Sequence, residues 1–279
     1  MVRLSIITIN FNNALGLRET IESIVNQTFT GFEYIVIDGG STDGSVEVIR
    51  EYADKITYWV SEPDRGIYNA MNKGVVKAEG EYLQFLNSGD CLVNGQILEK
   101  VFSNNYIEDI LYGDANNVFE DGTFEVRVAG NEEEITLAYL IKFGLSHQAS
   151  FFRRDLFSSG LYDEKLKIVS DWKFFIEKIV FENCSIKKLG FATIDFEMSG
   201  ISNQVSQFNS QNDEREKALN QLLPERIARD YQDFLLISGS PLLKHMTFLN
   251  GRNRLHNLSA SIVGFAISIY KLFKPKNKK

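Results

Sequence analysis

The chain has 279 residues, 44% of them apolar and 24% charged, with only 4 prolines. That composition excludes a disordered chain and leaves room for one large α/β domain with an appendage. A balance of 37 acids to 30 bases, net charge −7, argues against a general nucleic-acid surface, which needs clustered Lys and Arg. Two cysteines, Cys91 and Cys184, are too few for a disulfide framework or a zinc site and fit a reducing cytoplasm as small core residues.

The N-terminal "MVRLSIITINF" has too short an apolar run for an export signal and no small-residue cleavage site after it, so it reads as a strand. Its "LSIITIN" is nearly continuously apolar, as a strand buried on both faces should be. "NNALGLRETIESIVNQ" begins at asparagines able to cap a helix and puts Leu17, Ile21, Ile24 and Val25 on one face. "FEYIVID", "ITYWV" and "EYLQFLN" are predicted as further strands, with helices over "GSVEVIREYA" and "GIYNAMNKGVVKA" between them. This alternation predicts a βαβ sheet with right-handed crossovers.

In such sheets ligands bind beyond the carboxyl ends of the strands. The polar clusters fall there: "NFNN", "DGGSTDG", "SEPDRG" and "NSGD" end the four strands in turn. The glycines at 39, 40 and 44 permit close approach of backbone amides, and Asp38 can accept from a ribose or a base edge. "GSTDG" also suits a turn and helix cap, which is the alternative for Asp43. No G-x-G-x-x-G follows the first strand and no G-x-x-x-x-G-K-[ST] occurs, so something other than a glycine-rich loop must hold phosphates, with a metal ion the natural candidate.

Taken together, "SIITINFNN", "YIVIDGGSTDGS", "SEPDRGIYNAMNKG", "GEYLQFLNSGD" and "SDWKFF" resemble a family 2 glycosyltransferase of the GT-A fold. The resemblance implies a Rossmann-like mixed sheet flanked by helices, here with a helical C-terminal extension. It implies transfer of a sugar from a nucleotide diphosphate sugar, commonly with inversion, with Mn²⁺ or Mg²⁺ held at the end of the fourth strand. Carried over by position, Asp38 would contact the base, Arg65 the base or phosphates, and Asp90 the metal. Where many relatives read Asp-Ala-Asp-Asp, this chain reads Asn87, Ser88, Gly89, Asp90. A hard cation sharing phosphate oxygens needs only one or two carboxylates, so Asp90 can suffice. A helix-capping turn is the alternative for "NSGD". The donor candidates are then Asn10, Asp38, Ser41, Asp43, Arg65, Asn87 and Ser88.

"KIVSDWKFFIEKI" predicts an amphipathic helix beginning at Ser170 and Asp171. A carboxylate in a first helical turn is stabilised as the anion. The resemblance implies the catalytic base for Asp171, with Ser170 in place of the first acid of the usual pair. Asp114, His147, Gln148 and Trp172 are weaker candidates for acceptor or phosphate contacts, with core packing the alternative for Trp172. "FEMSGISN" resembles a Gly-Ile-Ser loop of relatives, from which Ser199 and Ser202 would reach the donor phosphates. "YGDANNVFEDGTFEVRV" predicts a strand, a hairpin at "EDGT" and a second strand.

The expected organisation is a glycosyltransferase domain over 1–205, split into a nucleotide-sugar half (1–92) and an acceptor half (93–205), followed by a helical extension over 206–279. An uncharged stretch from Leu255 to Tyr270 precedes five lysines and suits a helix in the headgroup region of a membrane's inner face or one docked on the protein itself. The expected activity is cytoplasmic transfer from a nucleotide sugar, UDP by family habit, to a glycan or lipid-linked glycan in cell-surface polysaccharide synthesis. Two alternatives are an inactive nucleotide-sugar-binding protein and a nucleotidyltransferase.

Overall fold

Strands that must bury both faces become the centre of the sheet. In the computed structural model, which describes residues 2–119, 121–198 and 208–238 together with positions 261, 264 and 265, the predicted runs form β1 (Leu4–Asn10), β2 (Phe32–Asp38), β3 (Tyr58–Ser61) and β4 (Tyr82–Asn87). They alternate with α1 (Ala14–Val25), α2 (Ser45–Glu51) and α3 (Ile67–Lys77). Every residue of β1 is buried. The short β5 (Cys91–Leu92) and α4 (Ile97–Phe102) follow, then the antiparallel hairpin of β6 (Ile110–Val118) and β7 (Phe124–Arg127), as the "EDGT" turn predicts. The rest of this region comprises α5 (Leu137–Lys142), β8 (Ser150–Arg153), α6 (Ser170–Phe175), a π-helical turn over Ile176–Phe181, and β9 (Ile186–Glu197).

The sheet runs β3-β2-β1-β4-β8-β6-β9-β5, with β7 beside β6. The first four strands are parallel, and β8 joins β4 antiparallel. The chain leaves β1 toward β2 on one side and returns as β4 on the other, so the carboxyl ends of β1 and β4 flank a topological switch point. Register brings Asn10 opposite Asp38 and Ile9 opposite Asn87, placing the predicted polar clusters along one edge.

One face of the sheet packs Leu4, Ile6, Tyr34, Val36 and Leu86 against Leu17, Ile21 and Ile24 of α1 and Leu98 and Val101 of α4. Val25, predicted on the same stripe, is only half-buried. Each such Leu or Ile contributes on the order of 1.5–3 kcal/mol by burial. Beyond β4, an aromatic cluster forms a second packing centre: Phe85 meets Tyr162 and Phe157, and Phe152 meets Phe174 and Phe175 of α6. This cluster fixes α6, and hence Asp171, beside the parallel half of the sheet.

Residues 1–218 and 219–279 form two compact units. The described helices of the C-terminal region are α7 (Phe208–Leu222) and α8 (Glu225–Ser238). Within the first unit, Glu214 of α7 accepts from the amides of Lys167 and Ile168 at 2.9 and 2.8 Å, holding the loop that leads into α6. Apart from positions 261, 264 and 265, the apolar stretch 255–270 lies outside the described residues. No helix among the described residues is long and apolar enough to cross a membrane. Cys91 and Cys184 are free, half-buried thiols and not the fully buried core residues expected; burial pushes both pKa values up to about 12.

Candidate active site

At the switch point the strand ends are stitched by side chains. Asn10 Nδ2 donates to Asp38 Oδ1 at 2.7 Å, and the Ser41 and Ser61 hydroxyls each donate to the same carboxylate at 2.6 Å. The amides of Gly40 and Ser41 add two more bonds. Burial opposes the charge on Asp38, but these donors outweigh it and hold its pKa below the usual carboxylate range. A fully buried carboxylate with five donors has little left to give a base. Asp38 organises the strand edge and fixes Asn10 and Ser41. Ser41 also accepts from the Asn12 amide at 2.7 Å, and Asn12 Oδ1 from the Thr42 amide at 2.9 Å, which ties the β1 and β2 loops together.

Asp43 follows its alternative reading as a cap. Its Oδ2 accepts from the Ala14 amide at the start of α1, and its Oδ1 from the amide and hydroxyl of Ser45 at the start of α2. The Ser45 hydroxyl does most to hold its pKa down. Ser88 contributes its carbonyl, which accepts from Asn13 Nδ2 at 3.0 Å.

The turn after β4 is bolted to α1 by the Gly89 amide, which donates to Thr20 Oγ1 at 2.9 Å. Asp90 is only 4% exposed, and its carboxylate accepts from the amides of Asn87 (3.3 Å) and Glu197 (3.2 Å). Burial pushes its pKa up to about 7, and the nearby Glu197 charge adds to the rise, while a bond from Gln148 opposes it. Glu197, at the end of β9, was not anticipated: its Oε2 stands where a Cβ on Gly89 would project. The space beside Gly89 is thus occupied by a second carboxylate. Asn87 Oδ1 is buried without a hydrogen-bond partner. An unpartnered amide oxygen beside two carboxylates is a set of hard oxygen donors that fits Mg²⁺ or Mn²⁺ when phosphate completes the shell. No group of three acidic, His or Cys side chains suited to a metal occurs among the described residues.

On the other side of β4, the Tyr68 hydroxyl of α3 donates to Asp171 Oδ1 at 2.7 Å. Burial and the Asp171 charge both raise the Tyr68 pKa well above its ordinary value, so the phenol stays protonated and remains a donor. Ser170 turns its hydroxyl to the Asp163 amide at 2.6 Å, leaving Asp171 as the acid facing α3. Arg65 is 77% exposed and pairs with Glu164 at 2.6 Å. Glu164 also accepts from Asn69 and Asn72, both at 3.1 Å, and so fastens α3 to the segment before α6. Neither Tyr68 nor Glu164 was visible as a site residue; the only local hint is the polar Asn69–Asn72 spacing within an otherwise apolar helix face.

Three weaker candidates have partners within the protein. His147 is 3% exposed, bonds Tyr162 Oη through Nε2 at 2.7 Å and stacks on Phe85. Burial lowers its pKa and favours the neutral ring within this aromatic cluster. The Trp172 indole is buried, donates to the Leu140 carbonyl at 2.8 Å and is covered by Arg215, which leaves no face for a sugar. Asp114 accepts from the Ala129 amide at 2.9 Å and pins the β6–β7 region. Beside it, a cavity of about 410 Å³ is lined by Arg127, Glu134, Tyr139, Phe143 and Gly144 among others. Ser199 and Ser202 lie outside the described residues.

The chain and its fold are matched by known proteins. The family model described as glycosyl transferase family 2 matches residues 5–159. A PGL/p-HBAD biosynthesis glycosyltransferase of Mycobacterium bovis is 32% identical over 179 residues, covering 62% of this chain and 68% of the relative. An uncharacterized glycosyltransferase of Mycobacterium tuberculosis is 33% identical over 205 residues, covering 71% and 76%. Among solved structures, Staphylococcus aureus TarS superposes with a TM-score of 0.62 at 21% identity, over 84% of this chain but only 43% of that one. Residues 1–349 of TarS have been solved with UDP-GlcNAc. A mannosyltransferase of Pyrobaculum calidifontis, solved with GDP-Man and Mn²⁺, superposes with a TM-score of 0.54 at 16% identity, covering 78% and 61%. The mixed sheet flanked by helices is the GT-A fold of these structures, and the chain is a glycosyltransferase belonging to family 2.

Proposed function

We propose that the protein transfers a sugar, with inversion, from a nucleotide diphosphate sugar to a hydroxyl of a glycan or lipid-linked glycan, on the cytoplasmic side of the membrane, in cell-surface polysaccharide synthesis. The observation that carries this reading is the Tyr68–Asp171 bond, which holds an acid in a helix's first turn next to a nucleotide-type strand edge. Asp171 takes the proton of the acceptor hydroxyl as that oxygen bonds to the anomeric carbon, and the bond from that carbon to the diphosphate oxygen breaks on the opposite face. Tyr68 keeps one carboxylate oxygen engaged and leaves the other for the incoming proton.

Residues 1–92 mainly serve the donor and 93–205 mainly the acceptor in this scheme, with Glu197 of the second half reaching the donor's metal. Asp90, the unpartnered Asn87 oxygen and the neighbouring Glu197 would hold Mg²⁺ or Mn²⁺ together with the donor phosphates. When bound, that ion supplies positive charge to the leaving diphosphate. UDP is the favoured nucleotide, supported by the UDP-GlcNAc complex of TarS. The cavity under the β6–β7 hairpin suits the acceptor: it offers the rings of Tyr139 and Phe143 for a sugar face and Arg127 and Glu134 for hydroxyls. Its wall residue Gly144 lies against Trp172, the neighbour of Asp171. The lysine-rich end of the chain would keep the enzyme close to a lipid-borne acceptor.

The test is release of nucleoside diphosphate from a panel of UDP, GDP and dTDP sugars, with water as the default acceptor. One donor should be cleaved by the wild type and not by Asp171→Asn, which should still bind it. Equal cleavage by both proteins would remove Asp171 from the reaction.

A further inference from the structure

Two cations without an acid of their own lie beside the cavity under the β6–β7 hairpin. Arg127, the last residue of β7, is exposed and lines that cavity. Its Nη2 donates to the Phe143 carbonyl at 2.7 Å, which fixes the guanidinium on the wall. Arg215, on α7, is half-buried and lies over the Trp172 ring, with Cζ 5.3 Å from the ring centroid. Gly144 connects the two: a Cβ there would stand 3.8 Å from Trp172 Cδ1 and 3.9 Å from Arg127 Nη2. Neither arginine forms an ion pair among the described residues, and Arg215 Nε is buried without a hydrogen-bond partner. Glu134, an acid on the cavity wall, is engaged by the Asn131 amide at 2.7 Å. Burial lowers the Arg215 pKa, Asp171 acts against that, and the like charge of Arg127 adds to it. A guanidinium stays protonated regardless. Two positive charges within each other's field, with donors to spare, are a receptor for an oxyanion, whose charge relieves their repulsion and whose oxygens match the N–H fork.

We propose that the acceptor carries a negatively charged group, a phosphate or a carboxylate, close to its attacking hydroxyl, and that Arg127 and Arg215 hold this group while Asp171 takes the hydroxyl proton. The inference rests on the sugar-transfer reading above and adds the charge class of the acceptor to it. A phosphate joining a sugar to a lipid carrier and the carboxylate of an acidic sugar present the same oxyanion chemistry to the two guanidinium groups. A neutral acceptor of the same shape would leave both charges uncompensated.

Tryptophan fluorescence of the full chain tests this. The chain has 2 tryptophans, so a Trp59→Phe background leaves Trp172, under Arg215, as the reporter. The probes are glucuronate, glucose 1-phosphate and glucose, titrated at constant ionic strength in EDTA and without donor, which keeps metal-held phosphate out of the signal. At least one anion should bind saturably and roughly tenfold or more tighter than glucose, the scale of one hydrogen bond between charged groups. Tighter glucuronate would point to the carboxylate of an acidic sugar, and tighter glucose 1-phosphate to a carrier phosphate. Arg127→Gln and Arg215→Gln should each weaken the anion about tenfold and leave glucose unchanged. Asp171→Asn removes a repelling charge and should bind the anion more tightly, which a merely structural arginine pair would not produce. No saturable change with either anion, equal affinity for all three probes, or anion binding indifferent to both arginine substitutions would overturn the proposal while leaving the donor-cleavage test of Asp171 untouched. Failure of that cleavage test with anion binding intact would overturn the acceptor role and keep the anion site.

Discussion

Tyr68 and Asp171 are joined by a 2.7 Å hydrogen bond across 103 residues of sequence, linking the first turn of α3 to the first turn of α6. The bond crosses from the strand-edge half of the domain to the half that carries the cavity lined by Arg127, Tyr139 and Phe143. Tyr68 is a positioning residue, so its loss should alter turnover and not donor capture. Tyr68→Phe should lower kcat by about one to two orders of magnitude, the scale of a hydrogen bond to a charged group, with donor KM within about twofold of wild type. Steady-state kinetics at several donor concentrations separate the two; a change confined to KM would move Tyr68 to donor binding.

Glu164 gathers Arg65, Asn69 and Asn72 into one cluster, and Asn72 is buried. Removing the acceptor leaves part of a buried amide unpaired, although Asn72 still donates to the Tyr162 carbonyl at 2.9 Å. Glu164→Ala should cost about 1–3 kcal/mol of stability. Urea unfolding followed by far-UV circular dichroism reads this as a lower midpoint at unchanged slope.

His147 makes the stability pH-dependent. Burial depresses its folded pKa, with the Asp171 charge acting weakly in the opposite sense, while the unfolded chain titrates near 6.5. The unfolded state then binds the proton first as pH falls. The neutral ring's contribution is complete above about pH 6.5 and is lost below it, by at most ~1.4 kcal/mol per pH unit. Urea midpoints measured from pH 7.5 to 5 should fall more steeply for the wild type than for His147→Gln. Parallel slopes would mean that His147 is protonated in the folded protein.

The four parallel strands were legible because burial on both faces leaves only long apolar runs, and "LSIITIN" and "FEYIVID" are β1 and β2 to the residue. The same strand ends gave Asn10, Asp38 and Asn87 as neighbours, since parallel register follows from the topology. What each polar side chain does was less legible, because it depends on partners distant in sequence. Asp38 and Asp43 look alike as acids in a glycine-rich loop, yet one is saturated by five donors and the other caps two helices. His147 reads as an isolated polar residue until Phe85, Tyr162 and Phe152 close around it. Glu197 could not be paired with Gly89 from sequence, since β9 reaches the turn only through the register that sets Asp195 opposite Cys91.

The most direct test of the proposed donor site is calorimetric titration of UDP, GDP and dTDP sugars into the wild type and Asp90→Asn, each with Mn²⁺ and then with EDTA. The wild type should bind one donor tightly with Mn²⁺ and at least tenfold more weakly with EDTA, and Asp90→Asn should bind it weakly under both conditions. Equal affinity with and without metal in both proteins would contradict a cation held at Asp90 and assign that buried carboxylate to fastening the β4–β5 turn to the end of β9.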